Sequence, residues 1–269
     1  AAAGSIAKPA NPLQVMPKVS NFPVPPRKIA CGLYHSVCVC NVASTGKSLL
    51  EEHEVGVYTW GRNLNNMLAH GVAEADAHMP KAISPEFQPG DKVKVYEVAC
   101  GMNHTLFLAK KPNDWGGTVW AVGLGNRGRL GVPKDKESEK TWVPPAPLPV
   151  QVGPLFERNS VIRICCGADH SLCLTTSGVI YAWGLNSDGQ CGVGRTTDVH
   201  EPTPIVPLPN LGGGAPVVAS FAAGARHSLL VTAGASSASN EDEEGDGGGA
   251  RGGGFLFTWG CNQQGRLGL

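Results

Sequence analysis

Short runs in which apolar and polar residues alternate, each closed by a turn signal, recur along most of this chain. The clearest is His170-Ser171-Leu172-Cys173-Leu174-Thr175, followed by the turn Thr176-Ser177-Gly178 and the return Val179-Ile180-Tyr181-Ala182-Trp183. Alternation on both sides of a glycine-containing turn predicts a β-hairpin, because successive strand side chains point to opposite faces. A further strand is predicted before such hairpins, at residues 93–99, 161–165 and 217–222. The pattern predicts small antiparallel sheets, not helices.

Those sheets repeat. Gly-x-x-His-Ser/Thr occurs as Gly32-Leu33-Tyr34-His35-Ser36, Gly101-Met102-Asn103-His104-Thr105, Gly167-Ala168-Asp169-His170-Ser171 and Gly224-Ala225-Arg226-His227-Ser228. The histidines stand 69, 66 and 57 residues apart, a period that identifies a repeat architecture. After each copy comes a second motif: Trp60-Gly61-Arg62-Asn63, Val122-Gly123 with Gly128-Arg129-Leu130-Gly131, Trp183-Gly184-Leu185-Asn186 with Gly189-Gln190-Cys191-Gly192, and Trp259-Gly260-Cys261-Asn262 with Gly265-Arg266-Leu267-Gly268. A repeat with three clear strands and a weaker fourth is what a β-propeller blade needs. Gly61, Gly123, Gly184 and Gly260 suit a sharp turn or a close backbone approach. Trp60, Trp183 and Trp259 are expected to pack between blades, and His35, His104, His170 and His227 to hold equivalent buried, hydrogen-bonded positions.

Composition agrees with many short strands joined by turns: 36 Gly and 21 Pro, with only 16% charged residues. Lys plus Arg and Asp plus Glu both number 22, so no overall field draws the chain to nucleic acid or anionic lipid. No apolar run approaches the roughly 18–20 residues of a bilayer span, so no membrane insertion is expected. Nine cysteines without a paired framework fit reduced thiols in an intracellular compartment; cytoplasm, nucleus and organelle are not distinguished. The chain opens on Ala1, and no targeting peptide is legible.

The paired motifs resemble the regulator of chromosome condensation repeat, whose signature joins Gly-x-x-His to Trp-Gly-x-Asn-x-x-Gly-Gln-Leu-Gly. The resemblance covers residues 29–269 and implies an all-β fold, four repeats of a seven-bladed propeller forming an incomplete ring. A full ring implies a natural chain continuing beyond Leu269. Two departures stand out: Asn66-Met67-Leu68-Ala69 replaces Gly-Gln-Leu-Gly in the first copy, and in the second Val122 and Gly125 replace Trp and Asn. Those corners are expected to be irregular. Residues 1–28, with Pro9, Pro12, Pro17, Pro23, Pro25 and Pro26, read as an extended arm laid along a partner; residues 234–254, Gly-rich and acidic, read as a solvated loop.

Cys31, His35, Cys38 and Cys40 lie close enough to suggest zinc, but the repeat accounts for them. Cys31, Cys100 and Cys166 each precede a repeat Gly, while Cys38 and Cys173 fall on inward strand positions where Cys acts as a small hydrophobe. No metal, cofactor or catalytic motif is expected, and the chain is not read as an enzyme. The reading is a scaffold or assembly factor that binds protein subunits of a larger assembly, or a ribonucleoprotein, through the arm and long irregular loops at 43–55 and 132–160. The alternative implied by the resemblance is a guanine-nucleotide exchange factor for a small GTPase of the Ran type, in which Asp169, directly before the third repeat His, would be the important residue. Direct DNA binding is not expected, since the arm offers only Lys8, Lys18, Arg27 and Lys28.

Overall fold

A computed structural model describes residues 25–42, 54–71, 75–84, 94–111, 114–132, 146–152, 160–209, 216–234 and 254–269. Four antiparallel sheets follow one another along the chain. The first contains β1 (Pro26–Cys31), β2 (His35–Val42), β3 (Glu54–Gly61) and β4 (Ala77–Ala82). The second contains β5 (Lys94–Cys100), β6 (His104–Lys110), β7 (Thr118–Gly123) and β8 (Ala146–Gln151). The third contains β9 (Val161–Cys166), β10 (His170–Thr175), β11 (Ile180–Gly184) and β12 (Val199–Pro204); the fourth contains β13 (Val218–Ala223), β14 (His227–Thr232) and β15 (Leu256–Gly260). Within each sheet the strands lie side by side in chain order. The first strands contact one another in succession, β1 on β5, β5 on β9 and β9 on β13, so they line a common axis as the inner strands of propeller blades.

The core lies between blades. Leu172, Leu174, Ile180 and Trp183 of blade 3 share one apolar cluster with Leu106, Leu108 and Val119 of blade 2 and Phe221 and Leu230 of blade 4. A second cluster joins Val37, Val39 and Val57 of blade 1 to Val98, Phe107 and Val122 of blade 2.

Register ties the two sequence motifs together. Each repeat His stands directly across from the Gly of the following motif: His35 from Gly61, His104 from Gly123, His170 from Gly184 and His227 from Gly260. These glycines have φ of 108–113°, and a Cβ there would lie 2.4–2.7 Å from the carbonyl oxygen of the residue before the His. Conformation and space therefore both demand Gly. The next backbone N–H donates to that same carbonyl, as Leu185 does to Asp169 at 2.8 Å, closing the corner.

Several expectations change. Strand β1 begins at Pro26, so Pro26, Arg27 and Lys28 belong to blade 1 and not to the arm. The stretch 132–160 is not one irregular loop, because β8 runs through it, and β3 likewise begins at Glu54. Strand β8 pairs with β7 in spite of its two prolines. Pro80, Pro149 and Pro202 hold equivalent places in β4, β8 and β12, outermost strands where a missing N–H is tolerated and discourages further pairing. Most of the expected arm (1–24) and acidic loop (235–253) lie outside the described residues. No helix among the described residues is long and apolar enough to cross a membrane.

Candidate functional site: the axial mouth and the bonds that hold it

Each Gly-x-x-His turn joins the inner strand of a blade to the next, so the four turns gather around the axis. Together they form an open cavity of about 280 Å³ lined by Cys31, Leu33, Cys100, Met102, Cys166 and Ala168, with the repeat glycines and the equivalent residues of blade 4. The glycines make this packing possible. A Cβ on Gly167 would lie 2.1 Å from Cε1 of its own His170 and 2.6 Å from the Gly224 carbonyl oxygen of the next blade. Backbone bonds link neighbouring turns as well, Met102 N–H to the Ala168 carbonyl at 2.8 Å and Ala168 N–H to the Ala225 carbonyl at 3.2 Å.

The histidines fasten each blade to the next. His35 Nε2 meets Thr105 Oγ1 at 2.8 Å, His104 Nε2 meets Ser171 Oγ at 2.9 Å, and His170 Nε2 meets Ser228 Oγ at 2.9 Å. Each hydroxyl in turn donates to a carbonyl of the preceding blade's corner: Thr105 to Met67, Ser171 to Arg129 and Ser228 to Gln190. A hydroxyl has one proton, so it accepts from the imidazole, and Nε2 carries the hydrogen. The Nδ1 edge is buried against the repeat Gly, without a hydrogen-bond partner among the described residues. Protonation would bury a second N–H with nothing to receive it. Burial accordingly lowers His35 and His170 to about 4, and His104 well below its ordinary value. His227 is only partly buried.

The tryptophans use the same carbonyls. Trp183 is fully buried and its Nε1 donates to the Arg129 carbonyl at 3.0 Å, while Trp259 donates to Gln190 at 2.9 Å. Trp60, in blade 1, is partly buried. The corner that supplies each carbonyl is braced by the motif Asn: Asn63 Oδ1 accepts from Leu68 N–H, and Asn186 Oδ1 from Cys191 N–H. Gly125 removes this brace from blade 2. The corners expected to be irregular nevertheless keep the common backbone. Asn66 and Ala69 adopt φ of 61° and 57°, close to Gly128 and Gly131 at 77° and 66°.

Asp169 is not a free loop-end group. It forms an ion pair with Arg129 of blade 2, whose side chain is 5% exposed against 24% for Asp169, and Arg129 Nε also donates to the Asn126 carbonyl. At the next boundary the polarity is reversed: Arg226, the residue equivalent to Asp169, donates to Asp188 of blade 3 at 2.8 Å. Sequence reading missed Arg129 as a partner because 40 residues separate it from Asp169.

The cysteines first weighed as metal ligands are divided. His35 is committed to Thr105, Cys38 lies 3.5 Å from Cys40 within blade 1, and Cys31 faces the axial mouth. Among the described residues no group of three or more His, Cys, Asp or Glu could hold a metal. Burial pushes the Cys38, Cys165 and Cys191 thiols up to about 12 and raises Cys100, Cys166 and Cys173 as well.

Comparison with known proteins agrees with this geometry. The model of the regulator of chromosome condensation (RCC1) repeat matches residues 56–108, 116–174 and 177–231, more than half of the chain. Each matched segment starts near the third strand of one blade and ends near the second strand of the next, so the sequence repeat is offset from the blade by half. The ultraviolet-B receptor UVR8 of Arabidopsis thaliana is 29% identical over 248 residues, 91% of this chain and 44% of the receptor. This chain therefore spans less than half of that relative. Among solved structures, human WBSCR16 superposes with a TM-score of 0.59 at 24% identity, covering 79% of this chain and 48% of that one. Yeast RCC1 (Prp20), solved bound to Kap60, gives 0.56 at 20% identity over 74% of this chain and 40% of that one. With its motifs, its four-sheet fold and the family match in agreement, the chain belongs to the RCC1-repeat family.

Proposed function

We propose that this chain is a non-catalytic binding module, a scaffold or assembly subunit that receives a protein or ribonucleoprotein partner at the axial mouth. The observation that carries this reading is the lining of that mouth. It is built from backbone, from the apolar side chains Leu33, Met102 and Ala168, and from Cys100 and Cys166, whose thiols burial holds protonated. A concave apolar surface on a rigid frame suits capture of a partner's apolar side chain, and protonated thiols are poor nucleophiles. Leu33 is already exposed there. The yeast Prp20 structures, one solved bound to Kap60 and one reported with its binding properties to Gsp1p and histones, support protein recognition by this fold.

The exchange-factor alternative rests on Asp169, which stands beside the mouth residue Ala168. Its engagement by Arg129 gives the carboxylate a structural task, and for that reason the scaffold reading is preferred.

The test is affinity capture with the tagged chain, compared with Leu33→Glu and Met102→Glu variants that place charge in the mouth. Partners lost from both variants, with thermal unfolding unchanged, are the expected result. A small GTPase as the main partner, with nucleotide release that Asp169→Asn abolishes, would replace this reading by exchange.

A further inference from the structure

The outer edge of blade 3 carries a period that is not that of a β-strand. Along residues 199–209 the inward positions stand three apart: Val199 and Pro202 are buried, and Ile205 and Leu208 pack against the apolar cluster between the blades. Glu201, Pro204 and Pro207, again three apart, are exposed, as are Val206 and Pro209. A strand alternates at every second residue. A repeat of about three residues is that of a polyproline II helix.

The sequence imposes this conformation. Pro204, Pro207 and Pro209 fix φ at about −65°. Thr203, Val206 and Leu208 each precede a proline, which steers them to extended or polyproline II backbone. Within residues 203–209 only Ile205 escapes both constraints, and its N–H is held on the Ile180 carbonyl at 3.0 Å. Val206 N–H donates to the Gly192 carbonyl at 2.8 Å. The segment is therefore ordered against blade 3 before any partner arrives. The repeat itself does not demand the first outward proline. Pro204 stands across from Tyr181, whereas blade 1 has Ala82 across from Tyr58 and blade 2 has Gln151 across from Trp120.

We infer that residues 203–207, Thr-Pro-Ile-Val-Pro, form a docking element for a partner protein that carries an aromatic-lined, proline-recognising groove. A polyproline II helix has three edges. One of them, Ile205 with Leu208, is packed on blade 3. The other two, Thr203 with Val206 and Pro204 with Pro207, offer two X-Pro pairs one turn apart, and Val206 is 51% exposed. That spacing is the one such grooves accept. Free proline-rich peptides give up conformational freedom on binding, a cost the blade has already met here. Addition of a partner β-strand fits less well: Pro204 and Pro207 have no N–H, and Ile205 and Val206 use theirs within blade 3. The element lies on the outermost strand, away from the inner-strand turns of the axial mouth, so its failure leaves the partner reading of the mouth untouched.

The test passes the 269-residue chain over an immobilised panel of purified SH3, WW and EVH1 domains and measures binding by surface plasmon resonance. Saturable binding to at least one domain is expected. Pro204→Ala and Pro207→Ala should each weaken it about tenfold or more, as for residues central to an interface. Their unfolding midpoints should fall only slightly, through the freer unfolded chain. Val206→Glu keeps both prolines and the N–H bond to Gly192 and places charge where the groove must close, so it should abolish binding and keeps the test decisive if a proline variant folds poorly. Absence of binding to every domain overturns the proposal, and so does binding indifferent to all three variants. Binding lost with Leu33→Glu but kept by Pro204→Ala and Pro207→Ala would assign the contact to the mouth and overturn it too.

Discussion

Asp169 and Arg129 are ion-paired across the boundary between blades 2 and 3, with the guanidinium the more deeply buried partner. Removing the carboxylate strands that cation, leaving its Nε bond to the Asn126 carbonyl. Asp169→Ala is therefore expected to cost about 2 to 3 kcal/mol, more than loss of an exposed loop group would. Urea unfolding of Asp169→Ala, Arg129→Met and the double variant checks this. The double variant should recover part of the loss, and simple additivity of the two single effects would remove the ion pair from the account.

The pH dependence follows from the histidines. Their folded pKa values lie below the ordinary value near 6.5, at about 4 for His35 and His170. The unfolded chain then binds more protons between those limits. Stability is complete above about 6.5 and is lost as pH falls toward 4, by about 2 kcal/mol for each such histidine between pH 7 and pH 5. His170→Gln keeps an N–H donor for Ser228 but cannot be protonated, so it should flatten the decline in urea-derived stability by one histidine's share. An unchanged decline would mean that other groups set it.

Alternation and turn chemistry made the inner strands and hairpins legible, within a residue at 161–165 and 217–222, because each buries alternate side chains against a neighbouring blade. The outer strands were not legible. Ala146–Gln151 carries two prolines in six residues, and it pairs because an edge strand needs only one bonded side. Of the site, the histidines, the glycines and the Ser or Thr after each His were visible through their repetition, whereas the pairing between them was not. Only the fold places Thr105, Ser171 and Ser228 each against the His of the preceding blade. The placing of Arg27 over the Tyr96 ring has no sequence signal, since β1 and β5 meet only in the folded sheet stack.

Trp183 separates packing from hydrogen bonding at the blade corners. Trp183→Phe keeps an aromatic ring in the core but removes the donor to the Arg129 carbonyl, which Ser171 still satisfies, so a loss of about 1 kcal/mol is expected. Trp183→Ala should cost about 3 to 5 kcal/mol by opening a cavity in a fully buried site. Equal losses for the two variants in denaturant unfolding would show that the ring contributes little.

The two departures from the repeat pattern compensate each other. At the later boundaries a Cβ on Gly131 would lie 2.9 Å from Trp183 Nε1, and one on Gly192 would lie 2.7 Å from Trp259 Nε1, so the indole requires Gly. At the first boundary the equivalent residues are Ala69 and Val122, both fully buried in one apolar cluster. The smaller Val leaves room for the Ala methyl, although Ala69 at φ 57° carries about 1 kcal/mol of left-handed backbone strain. Val122→Trp alone should then cost about 1 to 3 kcal/mol through overpacking. Ala69→Gly alone should be nearly neutral, since relief of strain offsets the lost methyl. Together they should rebuild the later boundaries' arrangement, with a new indole donor to the Met67 carbonyl beside Thr105. A coupling of at least about 1 kcal/mol in the double-mutant cycle is expected. Strict additivity would mean that Ala69 and Val122 departed from the pattern independently.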